Sequence, residues 1–131
     1  YSFLRTNILQ WKMIVDNQNS NCQGSEENQE SAKTFFLVQT LCSTLKGNDL
    51  PVLTITSRTN VQSCLRPHYV FVTARVHPSE SNSSWVMKGF IDSLLIKNND
   101  PLKESHRRAL LEKYIFKIVP MLNPDGVING R

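Results

Sequence analysis

The apolar positions fall in short clusters whose spacing switches between helical and pleated periods. Over residues 1–15, Phe3, Leu4, Ile8, Leu9, Trp11, Ile14 and Val15 recur at intervals of roughly three to four, which predicts an amphipathic helix. Residues 16–31 carry Asn, Gln, Ser and Glu with no large apolar side chain, so no core contact offsets the entropy of ordering them; an exposed loop is predicted. Residues 34–45 and 52–56 flank the turn cluster Lys46-Gly47-Asn48-Asp49, and strand, turn, strand accounts for the stretch as a β-hairpin. A polar loop follows through Pro67. Residues 68–76 (His-Tyr-Val-Phe-Val-Thr-Ala-Arg-Val) are β-branched and nearly continuous in apolar character, as expected of a central strand covered on both faces.

Trp85, Met87, Phe90, Ile91, Leu94 and Leu95 return to helical spacing, with Ser81 or Asn82 available as the N-cap. Asp100-Pro101 supplies a second cap with proline at the first helical position, and Leu102, Ala109 and Leu110 mark the apolar side of a helix ending near Lys113. Residues 114–122 read as another buried strand, and Asn123-Pro124-Asp125-Gly126 as a turn with proline preset at its second position. The predicted class is α/β: a sandwich whose sheet mixes an antiparallel hairpin with parallel crossovers, incomplete because its last strand leads only into a turn.

With 131 residues and 40% apolar positions, the chain can bury one core. No apolar run approaches the roughly 20 residues that cross a bilayer, and no charged-then-apolar leader is present, so neither a membrane span nor a signal peptide is expected. The formal net charge of +4 mildly favours an acidic partner. Its cations are scattered, with Arg107-Arg108 the only adjacent basic pair, which argues against nucleic acid. Cys22, Cys42 and Cys64 are odd in number and lack CxxC spacing, so reduced thiols in a cytoplasmic protein are expected rather than a disulfide framework or thiolate zinc site. The tripeptide Asn82-Ser83-Ser84 fits a glycosylation acceptor and is discounted, since nothing else suggests secretion.

The chemistry concentrates in His77-Pro78-Ser79-Glu80, where the predicted central strand passes into the Trp85 helix and where open α/β sheets gather ligand groups. An imidazole and a carboxylate three residues apart can converge on one cation if the turn folds back, and zinc accepts this nitrogen and oxygen mixture. A catalytic zinc takes three protein ligands and keeps a fourth position for water, and His77 and Glu80 supply two. The spacing is weakly specific alone, with about 0.14 chance occurrences expected in this composition. A surface histidine beside a helix-capping glutamate fits it equally well. His68 and His106 read as solvated or structural.

The wording around the pair is more specific. Residues 73–90 (Thr-Ala-Arg-Val-His-Pro-Ser-Glu-Ser-Asn-Ser-Ser-Trp-Val-Met-Lys-Gly-Phe) and 116–130 (Phe-Lys-Ile-Val-Pro-Met-Leu-Asn-Pro-Asp-Gly-Val-Ile-Asn-Gly) resemble the cytosolic carboxypeptidases, the deglutamylase branch of the zinc metallocarboxypeptidases. Residues 41–48 with 52–56 resemble that family's entry hairpin. The resemblance covers most of residues 34–130 and implies an α/β/α sandwich of the zinc carboxypeptidase type, of which this chain is the front part. Residues 1–33 then form an N-terminal helix and polar loop, and 34–131 a partial catalytic domain.

By that resemblance His77 and Glu80 match the first two zinc ligands, with Ser79 where the family has Gly. If that position needed a positive φ, a Cβ would cost roughly 1 kcal/mol there. Asn123-Pro124-Asp125-Gly126 matches a structural turn with no catalytic role. The family's carbonyl-polarising arginine, its Asn-Arg pair for the substrate carboxylate, its third zinc ligand and its general-base glutamate all follow that turn. Arg131 stands closer to it than the polarising arginine would and is expected at the surface. No catalytic residue is therefore assigned within the chain. The implied activity is zinc-dependent removal of C-terminal glutamates from acidic protein tails such as polyglutamylated tubulin, in the cytoplasm, with no nucleic-acid or membrane partner. The alternative is a non-catalytic truncated remnant that acts as an interaction module.

Overall fold

The computed structural model describes residues 1–21, 33–62 and 68–130. Along the chain these form α1 (Ser2–Ser20), β1 (Thr34–Ser43), β2 (Asp49–Ser57), α2 (Arg58–Gln62), β3 (His68–Thr73), α3 (Ser81–Leu95), α4 (Pro101–Lys113), β4 (Tyr114–Val119) and α5 (Pro124–Asn129). The strands make a mixed sheet in the order β1-β2-β4-β3. Strands β1, β2 and β4 pair antiparallel, and β3 pairs parallel to β4. This is the mixed α/β architecture expected from the sequence. Among the described residues no helix is long and apolar enough to cross a membrane.

The hairpin forms where the turn cluster places it. Thr44 N–H donates to the Asn48 carbonyl (2.9 Å), and Gly47 takes φ +76°, a left-handed conformation that glycine adopts without a Cβ clash. Strand β2 is the buried partner, with Leu53, Ile55 and Thr56 inaccessible to solvent. Its Thr56 hydroxyl lies 3.0 Å and 2.9 Å from the Leu111 and Tyr114 carbonyls, so a polar group inside the core is satisfied.

Several expectations are corrected. The polar stretch before Pro67 contains the short helix α2, while residues 63–67, Cys22 and Cys64 lie outside the described residues; Cys42 is exposed on β1. Strand β3 is not central: β4 lies between it and β2, and β3 ends at Thr73 rather than 76. The crossover through α3 and α4 returns β4 beside β3 on the hairpin side. There Ile115, Phe116, Ile118 and Val119 are buried, whereas Tyr69 and Phe71 of β3 stay more than 60% exposed. Helix α1 runs to Ser20, five residues past its expected end. The Asn19 side chain closes a two-way pair with Thr34, donating to its carbonyl (2.9 Å) and accepting from its N–H (3.0 Å), and so docks the helix end on β1. The rest of the expected 16–31 loop is outside the described residues.

Helix faces also differ from the reading of the pattern. In α3, Met87, Ile91, Leu94 and Leu95 are buried, but Trp85 is exposed and its ring lies 5.0 Å from that of Phe3. In α4 the Asp100 cap is as expected, accepting from Leu102 N–H at 2.9 Å behind Pro101. Its buried face, however, is Leu111 and Arg107, with Leu102, Ala109 and Leu110 outward. Arg107 is tolerated inside because its guanidinium donates to the Leu94 carbonyl (2.8 Å) and, through two nitrogens, to Glu104 (2.9 and 2.7 Å). The core itself joins Leu4, Trp11 and Val15 of α1 to β2, β4, α3 and α4.

Candidate metal centre

Strands β3 and β4 run in parallel, so the segments that follow them leave the sheet at the same end. They stay hydrogen-bonded past it: Ala74 N–H donates to the Val119 carbonyl (3.1 Å), Leu122 N–H to that of Ala74 (2.9 Å) and Asn123 N–H to that of Arg75 (3.1 Å). At Arg75 the backbone turns over with φ +57°, the one positive φ among the described non-glycine residues. Ser79 therefore has no left-handed conformation to strain, and the penalty considered for its Cβ does not arise; its side chain is exposed.

Residues 77–80 close into a turn in which Glu80 N–H donates to the His77 carbonyl (3.3 Å). The turn brings His77 Nδ1 to 3.1 Å from Glu80 Oε1, both side chains more than half exposed. Glu80 is also the N-cap residue of α3, but its side chain caps nothing, and neither Ser81 nor Asn82 takes the place expected of it. Asn82 Oδ1 accepts from the next amide, and the Ser83 hydroxyl donates to the Glu80 carbonyl (2.8 Å). The glutamate carboxylate is thus left free to face the imidazole. One imidazole nitrogen and one carboxylate oxygen, converged and open to solvent, form a donor set that suits zinc. Among the described residues no group of three or more His, Cys, Asp and Glu is assembled. His68 sits at the opposite end of β3, and His106 is exposed on α4.

The Asn123-Pro124-Asp125-Gly126 segment is the start of α5 rather than a free turn. Asn123 Oδ1 caps the helix by accepting from Gly126 N–H (2.9 Å), and Pro124 occupies its first position, buried. Asp125 reaches the hairpin turn, accepting from the Thr44 hydroxyl (2.6 Å), Asn48 Nδ2 (2.7 Å) and, more loosely, Lys46 N–H (3.3 Å). Hydrogen bonds from Asn48 and then Thr44 hold its carboxyl below the ordinary aspartate range. Gly126 leaves room for the 77–80 turn: a Cβ on it would lie 2.3 Å from Pro78 Cγ. Sequence reasoning missed Arg75, Asp125 and Gly126 as parts of this neighbourhood. The one available signal is that each of the two motifs ends a predicted strand and opens a helix.

Comparison with known proteins identifies the family and the fold. The zinc carboxypeptidase family model matches residues 10–131. Cytosolic carboxypeptidase 1 of Homo sapiens is 52% identical over 103 residues, covering 73% of this chain and 8% of that protein. Cytosolic carboxypeptidase 4 of Homo sapiens is 47% identical over 104 residues, covering 75% and 9%. The chain spans less than a tenth of the length of these curated relatives. The crystal structure of a metallo-carboxypeptidase from Burkholderia cenocepacia superposes with a TM-score of 0.62 at 29% identity, over 73% of this chain and 24% of that one. With almost its whole length matched by the family model, and with that fold, the chain belongs to the zinc carboxypeptidase family.

Proposed function

We propose that His77 Nδ1 and a Glu80 carboxylate oxygen are two protein ligands of the zinc of a metallocarboxypeptidase, and that the enzyme removes C-terminal glutamates from acidic protein tails such as those of polyglutamylated tubulin. The observation that carries the reading is the 3.1 Å approach of those two atoms, as a hydrogen-bonded pair, on an exposed turn where the Glu80 side chain makes no helix-capping bond. With zinc bound, Nδ1 would offer its lone pair and the ring proton would sit on Nε2. The Glu80 carboxylate contributes a negative charge that offsets part of the cation's. When bound, zinc supplies polarisation of the scissile carbonyl and a water of lowered pKa. In this reading residues 34–131 belong to the catalytic domain, with residues 1–33 leading into it.

The substrate class rests on the net charge of +4, which favours acidic tails, and on relatives named cytosolic carboxypeptidases. The same names support a cytoplasmic setting. The 131 residues alone, with two of three zinc ligands, are expected to bind zinc weakly and to release no glutamate, so the test is a zinc titration of the protein extended past Arg131 together with an assay for glutamate release from a polyglutamate-tailed peptide. One zinc per chain, lost in the His77→Gln, Glu80→Gln double variant, is the expected result. Zinc binding without glutamate release would remove the substrate assignment alone. Absence of zinc binding would leave the interaction module as the better account.

A further inference from the structure

We propose that Arg75 is the positioning residue of this metal pair, fixing the turn on which His77 and Glu80 face each other; the inference rests on the ligand assignment above. Its guanidinium makes three contacts around the loop. Nε and Nη2 both donate to the Pro78 carbonyl (3.0 and 2.9 Å), and Nη1 donates to the Ser84 hydroxyl (2.6 Å). One planar group therefore ties the residue before the loop to the middle of the turn and to the first turn of α3. The Pro78 carbonyl belongs to the peptide between the two ligands, so holding its plane holds the relative orientation of residues 77 and 80.

Two further observations set Arg75 apart from an ordinary surface arginine. Its backbone takes φ +57°, which side chains with a Cβ rarely adopt, and its carbonyl accepts from Asn123 N–H, so both its backbone and its side chain are committed. On the opposite side of the loop the Pro78 ring packs on the space left by Gly126, so the turn is gripped between a guanidinium and a helix start. The core residues Leu53, Ile55, Ile91 and Ile118 are not members of this contact set. Losing the guanidinium is therefore expected to loosen the ligands without melting the sheet.

The test compares zinc affinity, by competition with a chromophoric chelator, and the urea unfolding midpoint of the zinc-free protein. Wild type is set beside Arg75→Gly, Arg75→Lys, Ser84→Ala and the His77→Gln, Glu80→Gln pair. Glycine adopts the observed φ freely, so Arg75→Gly removes the guanidinium without adding backbone strain. Zinc affinity is expected to fall roughly 10- to 100-fold in Arg75→Gly, as for loss of a group that orients a metal ligand. A smaller loss is expected in Arg75→Lys, whose single ammonium cannot reproduce the fork, and in Ser84→Ala, which keeps the Pro78 contacts. The unfolding midpoint should stay near that of wild type. If the ligand double variant loses zinc while Arg75→Gly keeps wild-type affinity, the positioning role is overturned and the metal site stands. If the midpoint falls in step with affinity, Arg75 is structural only. Should Arg75→Gly not fold, Ser84→Ala decides, and unchanged affinity there overturns the proposal. If wild type and the double variant bind zinc alike, the ligand assignment itself fails.

Discussion

Gly126→Ala is expected to destabilise the protein, although alanine is the better helix former. The new methyl would stand 2.3 Å from Pro78 Cγ, 2.9 Å from Asn123 Nδ2 and 3.0 Å from Asn123 Oδ1. Carbon atoms settle at about 3.5 Å or more, so the Pro78 ring must withdraw by about 1.2 Å or α5 must lift by as much. Neither yields readily. Pro78 is a rigid ring in a closed turn, and α5 is anchored by buried Pro124, by the Asn123 cap and by Asp125 on the hairpin. Overpacking of this kind costs about 1–3 kcal/mol. Replacing glycine in a helix returns about 0.5–1 kcal/mol. At the middle of both ranges a net loss of about 1 kcal/mol follows.

Gly89 provides the matched control, because it lies exposed in α3 with nothing within 4 Å of its would-be Cβ. Gly89→Ala should therefore stabilise by about 0.5–1 kcal/mol. Urea unfolding followed by the fluorescence of buried Trp11 reads both variants on one scale. Opposite signs are expected. Gly126→Ala proving as stable as Gly89→Ala would refute the close packing of α5 on the 77–80 turn.

Three further outcomes are expected. Asp125, whose carboxyl is held below its ordinary value by Asn48 and Thr44, stabilises the fold above the unfolded-state pKa near 3.9 and loses that contribution as pH falls through its lowered native value. The stability gap between wild type and Asp125→Asn should hold above about pH 5 and narrow in acid; a gap independent of pH down to 3 contradicts this. Arg107→Ala should cost about 3 kcal/mol in urea unfolding, because it strips a 5% exposed guanidinium from Glu104 and from the Leu94 carbonyl, and a loss below about 1 kcal/mol would show those partners resolvated. Trp11→Phe keeps most of the buried ring area and removes the indole N–H bond to Asp92 (2.7 Å), so a loss of about 1.5 kcal/mol is expected by the same measurement.

What could be read from the sequence was local. The hairpin follows from Gly47 and its polar neighbours, the start of α4 from Asp100-Pro101, and the candidate ligands from three-residue spacing within a recognisable motif. Strand order could not be read this way, since an apolar run such as 68–76 does not say which strand will be inserted beside it. Nor could the helix faces, where the choice between Trp85 and Met87 depends on what packs against α3. Arg107 violates the rule that charge stays outside because Leu94 and Glu104, three to thirteen residues away, meet its donors. Gly126 presented itself as a turn residue; its real constraint is a proline 48 positions earlier.

The constraints on Gly126 and on the His77 turn have one physical source in the parallel pairing of β3 with β4. Parallel neighbours deliver their following loops to the same edge of a sheet, whereas antiparallel ones would place them at opposite ends. Had β4 paired antiparallel to β3, Asn123 could not donate to Arg75, Gly126 could not receive Pro78, and the His77 turn would rest on α3 alone. The hairpin adds the third side, because β2 runs antiparallel to β4 and so begins where β4 ends, bringing the turn that precedes it within reach of Asp125. The exposed 77–80 turn thus gains its definition from segments at residues 44–48, 75 and 123–126, each tied to the sheet. That explains how two side chains that remain more than half open to solvent can hold a 3.1 Å approach.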